Sequence, residues 1–96
     1  MSALERQVLV CYDVASSRAR SRLFDSLKAL GLVPVQESVF WGYVRRAEER
    51  QIARDFEKLL DAATDKAFLV PVSMDVAQAS GYGAQAFAPP PRSRVI

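Results

Sequence analysis

Between residues 8 and 72 the hydrophobic period switches repeatedly, and the order of those switches constrains the fold more than any other feature. Val8 to Tyr12 is a continuous apolar run with β-branched and aromatic members. It predicts a strand buried on both faces and central in its sheet. Ser16 or Ser17 is placed to N-cap the next segment, where Leu23, Leu27 and Leu30 recur at helical spacing with Phe24 beside them. Gly31 stands where a C′ residue would end that helix. Val33 to Arg45 is rich in β formers but longer than a usual strand. Pro34 cannot donate to a ladder, which favours an edge or a strand start. The stretch reads as two strands meeting in a tight bend near Glu37-Ser38. A second helix is expected from about Ala47 to Ala63, with Ile52, Phe56, Leu59, Leu60 and Ala63 as its apolar stripe. Glu48 and Glu49 in its first turn complement the helix dipole. Ala67 to Val72 is a last strand. The order βαββαβ is the α+β, ferredoxin-like split arrangement.

This accounts for one domain over residues 1–83, which the chain length of 96 residues allows and two domains would exceed. Residues 84–96 form a Pro-rich tail. Pro89-Pro90-Pro91 is a stiff spacer, and the apolar pair Val95-Ile96 behind it is too short for a core. Two readings stand for this tail: disorder, or a strand added to the sheet of a second subunit.

No apolar stretch approaches the ~20 residues of a membrane span, so no membrane association is expected. The run after the N-terminus is short and ends in Asp13, unlike a signal peptide. The single cysteine, Cys11, excludes an intrachain disulfide. A cytoplasmic, reducing setting is expected. There is no histidine. Ser-His and Cys-His nucleophilic arrangements and Cys-His zinc sites are therefore excluded. Any hydrolysis would draw on a metal ion held by carboxylates.

Charge is unevenly spread. Residues 1–46 carry seven basic and four acidic side chains, and residues 47–88 carry four basic and seven acidic. Ten of the thirteen cations are arginine, the side chain suited to planar, bidentate phosphate contact. The basic half points to an anionic partner.

The candidate site lies where the first strand ends. Asp13 has two open roles there: a cap or turn residue, or a ligand for a divalent cation. One carboxylate is a poor metal site, but two copies facing each other across a dimer axis would supply a pair. Arg18, Arg20 and Arg22 follow, spread over different helix faces, and read as phosphate contacts or as a solvated helix start. Ser16 and Ser17 can add hydrogen bonds to a phosphate. Tyr12, Phe40, Trp41 and Tyr43 read either as base-stacking groups or as core and interface packing.

Tyr12-Asp13-Val14, the arginine-bearing helix ending at Gly31, and Gln36-Glu37-Ser38-Val39-Phe40 together resemble the second CRISPR-associated protein family, the small partner in spacer acquisition. The resemblance covers roughly residues 7–83. It implies a ferredoxin-like homodimer with facing sheets. It implies that Asp13 is the metal-binding and catalytic residue, with one Mg²⁺ shared across the dimer axis, and that the activity is cleavage of RNA or double-stranded DNA. It also implies a structural role, in which the dimer bridges two dimers of the CRISPR-associated integrase and holds duplex DNA. The tail resembles the family's C-terminal strand. The chain departs from the family pattern at Ser16 and Ser17, where many members carry acidic residues, and at Pro34 and Trp41. A toxin-type ribonuclease of the virulence-associated D family and a non-catalytic ferredoxin-like binding module are the alternatives.

Overall fold

The computed structural model describes residues 4–73 and 80–82. Six elements follow the expected order. They are β1 (Arg6–Asp13), α1 (Ser17–Ala29), β2 (Val33–Gln36), β3 (Val39–Val44), α2 (Arg46–Leu59) and β4 (Lys66–Pro71). The four strands form one sheet in the order β2-β3-β1-β4, and every pairing is antiparallel. The domain boundary at residue 83 and the tail 84–96 lie outside the described residues.

β1 is interior, as its apolar run predicts, but it is not buried on both faces. Val8, Val10 and Tyr12 are buried, while Gln7, Leu9 and Cys11 between them are only partly covered. The core that takes the first set also holds Leu23 and Leu27 of α1 and Ile52 of α2. In an antiparallel sheet whose helices pack on one side, alternate residues fall on the other side. Exposed Phe68 and Val70 of β4 belong to that side, paired with Cys11 and Leu9.

Local signals place the ends of α1. The Ser16 side chain accepts the Ala19 N–H at 3.1 Å, an N-cap bond. At the other end Gly31 has φ 94, where a Cβ would be strained. Its N–H donates to Lys28 O and the Leu32 N–H to Leu27 O, the paired bonds of a Schellman motif. The bend at Glu37-Ser38 separates β2 from β3 as expected, and Pro34 sits on the edge strand. The register shifts between Pro34 and Gln36.

α2 ends four residues before the expected Ala63, which lies exposed in a turn. Asp61 and Asp65 explain the early stop. Asp61 Oδ1 accepts the Ala63 N–H and Asp65 Oδ2 accepts the Asp61 N–H, both at 2.9 Å. Side chains that bind nearby backbone donors offer the chain an alternative to helix. At the start of α2, Glu48 Oε1 accepts the Arg45 N–H at 2.8 Å. The two helices are joined through buried Asp55, whose carboxylate accepts Ser26 Oγ at 2.5 Å and Gln51 Nε2 at 3.0 Å.

Gly42 of β3 sits where α1's exit crosses the sheet. A Cβ there would lie 3.1 Å from both Cα and Cγ of Leu32. Leu32 is held by the Schellman bond, so its backbone has little room to yield. Gly42→Ala is expected to cost about 1–3 kcal/mol through overpacking. Urea unfolding would measure it, and an unchanged midpoint would mean that Leu32 moves freely.

Candidate nucleic-acid interface

Antiparallel order brings one end of every element together. The C-terminal end of β1, the start of α1, the β2–β3 turn and the start of β4 meet at one edge. Tyr12 N–H donates to Ser38 O at 3.1 Å, and Asp13 pairs with Lys66 in the β1–β4 ladder. The conformation of the β1–α1 connection is fixed by two side chains from opposite directions. Asp65 Oδ1 accepts the Ala15 N–H at 2.9 Å, and Arg20 Nη1 donates to Val14 O at 2.7 Å. The backbone N–H groups of Ala15 and Asp61 hold the Asp65 carboxyl below the usual carboxylate range. This bracing is present while Asp65 is ionised and weakens as the pH falls through its lowered value.

Those bonds settle which structural roles Asp13 does not have. Ser16 caps α1 and Asp65 braces the loop, so the capping and turn duties open to Asp13 belong to other residues. Asp13 is exposed, and its carboxylate makes no hydrogen bond or ion pair among the described residues. Lys66 lies directly across the ladder, also exposed. Among the described residues no three His, Cys, Asp or Glu side chains gather as a metal site. Within one chain, the donor set around Asp13 is therefore a single carboxylate.

The three arginines divide as helical spacing requires. Arg18 and Arg22, four residues apart, line one cavity of about 200 Å³ together with Ser16 of the cap. Arg20 faces the other way, into a groove of about 530 Å³ between α1 and β2 that Tyr12, Phe24 and Gln36 also line. It is half-buried and partly spent on Val14. Ser17 is the first residue of α1 and exposed. The site residues expected from sequence thus share one end of the molecule but not one surface.

Three of the four candidate aromatics are packing groups. Tyr12, Phe40 and Trp41 are buried. Phe40 stacks with Tyr12 at 6.3 Å between centroids and meets Phe24 edge-on at 5.1 Å. Burial pushes the Tyr12 hydroxyl up from its ordinary pKa, so it stays a neutral donor, directed at Glu37 O at 3.4 Å. Tyr43 accepts Gln7 Nε2 at 2.9 Å on the less covered sheet face. The buried rings of Tyr12, Phe40 and Trp41 are not free to stack a base. Two contributors escape sequence reasoning: Asp65, and Lys58 of α2, which lines the cavity of Arg18 and Arg22. Only the close Asp61/Asp65 spacing hinted at the first.

Among the described residues no helix is long and apolar enough to cross a membrane. Residues 6–79 match the family model described as CRISPR associated protein Cas2. The chain is 41% identical over 71 residues to the CRISPR-associated endoribonuclease Cas2 1 of Francisella tularensis subsp. novicida (strain U112), covering 74% of this chain and 72% of that protein. The crystal structure of a hypothetical protein from Thermus thermophilus superposes with a TM-score of 0.73 at 30% identity, over 84% of this chain and 94% of that one. Streptococcus pyogenes Cas2 superposes with a TM-score of 0.64 at 28% identity, over 80% of this chain and 99% of that one. Fold, matched span and identity agree, and the chain belongs to the Cas2 family of CRISPR-associated proteins.

Proposed function

We propose that this chain works in CRISPR adaptation as a nucleic-acid-binding homodimer that bridges integrase dimers, and that the dimer carries a Mg²⁺-dependent endonuclease centre acting on RNA or double-stranded DNA. The observation that carries this reading is Asp13. It is an exposed carboxylate at the end of an interior strand, free of structural duty, with Arg18 and Arg22 on the helix that follows. Family membership favours adaptation over the toxin reading. The Francisella relative is named an endoribonuclease, which supports the catalytic half.

The residues present suit Mg²⁺ best in a dimer. Mg²⁺ is held by one or two carboxylates, with waters and substrate phosphates filling its octahedron. Asp13 from each of two copies would supply that pair. When bound, the ion supplies an activated water and offsets charge developing on the phosphate. Ser16, Ser17, Arg18 and Arg22 would hold the backbone phosphates beside it, and Arg20 would keep the β1–α1 loop in shape through Val14. Pairing of two sheets is supported by the apolar residues on the side away from the helices, where Phe68 is 53% exposed and Trp41 is buried. A non-catalytic binding module is the second reading, favoured by Lys66 opposite Asp13, a cation that competes with a metal for the same carboxylate.

Arg18→Ala tests the binding half. Titrating labelled duplex DNA and single-stranded RNA across salt concentrations, the variant is expected to bind more weakly on every sequence. Its log K against log salt slope should fall by about one. Unchanged affinity and slope would remove α1 from the interface.

A further inference from the structure

Lys58 has no assigned role, and its surroundings are hard to explain by folding. It lies in the last turn of α2, exposed, and lines the same cavity of about 200 Å³ as Arg18 and Arg22 of α1. The remaining lining is Ser16, Ala19 and Leu59, with no carboxylate among them. None of the three cations makes an ion pair or hydrogen bond among the described residues. Other charged groups of the chain are used differently. Arg6 forms a two-point pair with Glu49, and Lys28 lies over the Phe24 ring at 5.7 Å. Three like charges around one concavity repel one another, and no carboxylate lines it to offset them. An anion in the cavity would.

The size is compatible with a small anion. Pockets for whole small molecules run to ~300–1,000 Å³. This one falls below that range, so it suits a single phosphate with its sugar outside. Half-buried Leu59 and Ala19 supply an apolar floor, which gives no base edge a hydrogen-bond partner. Recognition there would be blind to sequence, as backbone contacts are.

We infer that Lys58 joins Arg18 and Arg22 in a composite subsite, formed between the two helices, for a backbone phosphate of bound nucleic acid. The inference rests on the nucleic-acid reading above and extends it from α1 to α2. The bound strand would then cross the gap between the helices rather than follow α1 alone.

The test is Lys58→Gln in the full-length chain, with Lys58→Arg and Lys28→Gln beside it. Fluorescence anisotropy of a labelled mixed-sequence DNA duplex, and separately of a single-stranded RNA, is read over a range of salt. Lys58→Gln is expected to weaken binding about tenfold and to lower the salt slope by about one. Lys58→Arg should keep the wild-type slope, and Lys28→Gln should leave both quantities unchanged. Circular dichroism checks that each variant folds. Loss on duplex alone or on RNA alone supports the subsite and identifies its source of phosphate. If Lys58→Gln binds like wild type while Arg18→Ala is weakened, the α2 subsite is wrong and the α1 interface stands. If neither variant changes binding, both fail. An equal loss in Lys28→Gln would reduce the effect to net charge and overturn the subsite.

Discussion

Asp13→Ala is expected to lower Mg²⁺-dependent cleavage at least a hundredfold while leaving the fold intact. The second half of that expectation comes from the structure. An exposed aspartate that caps no helix and braces no loop can be truncated with little effect on stability, within the ±0.5 kcal/mol usual for such surface changes. The first half comes from the chemistry that its carboxylate would anchor. Metal ions supply several kcal/mol of charge stabilisation, and each ~1.4 kcal/mol is a factor of ten in rate. The measurement is cleavage of labelled RNA and duplex DNA, with Mg²⁺ and with chelator, on wild type and variant. Duplex binding by Asp13→Ala should be retained, because the proposed phosphate contacts lie on the helices and not on Asp13. Full cleavage by the variant would take catalysis away from Asp13. A wild type inactive on both substrates would leave a binding protein and favour the second reading. Asp65→Ala provides the contrast. It leaves the acidic site residue in place but unties Ala15 and Asp61, so it should lower both stability and binding.

The fold was largely legible because its signals are local. Runs of β formers and helical patterns gave the six elements in order, and Gly31 and the Glu37-Ser38 bend gave two of the boundaries. Pro34 marked the edge strand. The misreadings have physical causes. An apolar run such as Val8 to Tyr12 looks the same whether both its faces are covered or only one. The difference depends on where the helices lie, which no five-residue pattern encodes. The apolar stripe of α2 continued to Ala63, yet Asp61 and Asp65 captured the backbone donors that another turn of helix would need. For the candidate site, sequence named the residues at the end of β1 but not their division of labour. Arg18, Arg20 and Arg22 look equivalent in a string, whereas on the helix Arg20 turns to Val14 and the other two turn to Lys58. That lysine and Asp65 are far along the chain from the partners they meet, so only the folded structure joins them.

Phe68→Asp is expected to turn the proposed dimer into a monomer, and with it to disable whatever the proposed paired site does. Strand alternation collects Leu9, Cys11, Val39, Trp41, Phe68 and Val70 on the side of the sheet away from the helices. Of these, Phe68 is 53% and Val70 37% exposed in the single chain. Two such sheets packed face to face stand ~10 Å apart, and a two-fold axis would put Phe68 of both copies into the contact. Burying a polar group without a partner costs at least about 2 kcal/mol, and a charge costs more. With one substitution per copy the penalty reaches about 4 kcal/mol, equivalent to a thousandfold in Kd. Folding of the single chain should barely change, since Phe68 is largely exposed there. Light scattering after size exclusion would read the mass, and circular dichroism the fold. A variant that stays dimeric at wild-type concentration would move the subunit contact to another surface. A folded, monomeric variant that still cleaves would show that one Asp13 suffices, and would dismantle the shared-carboxylate centre while leaving the arginine interface standing.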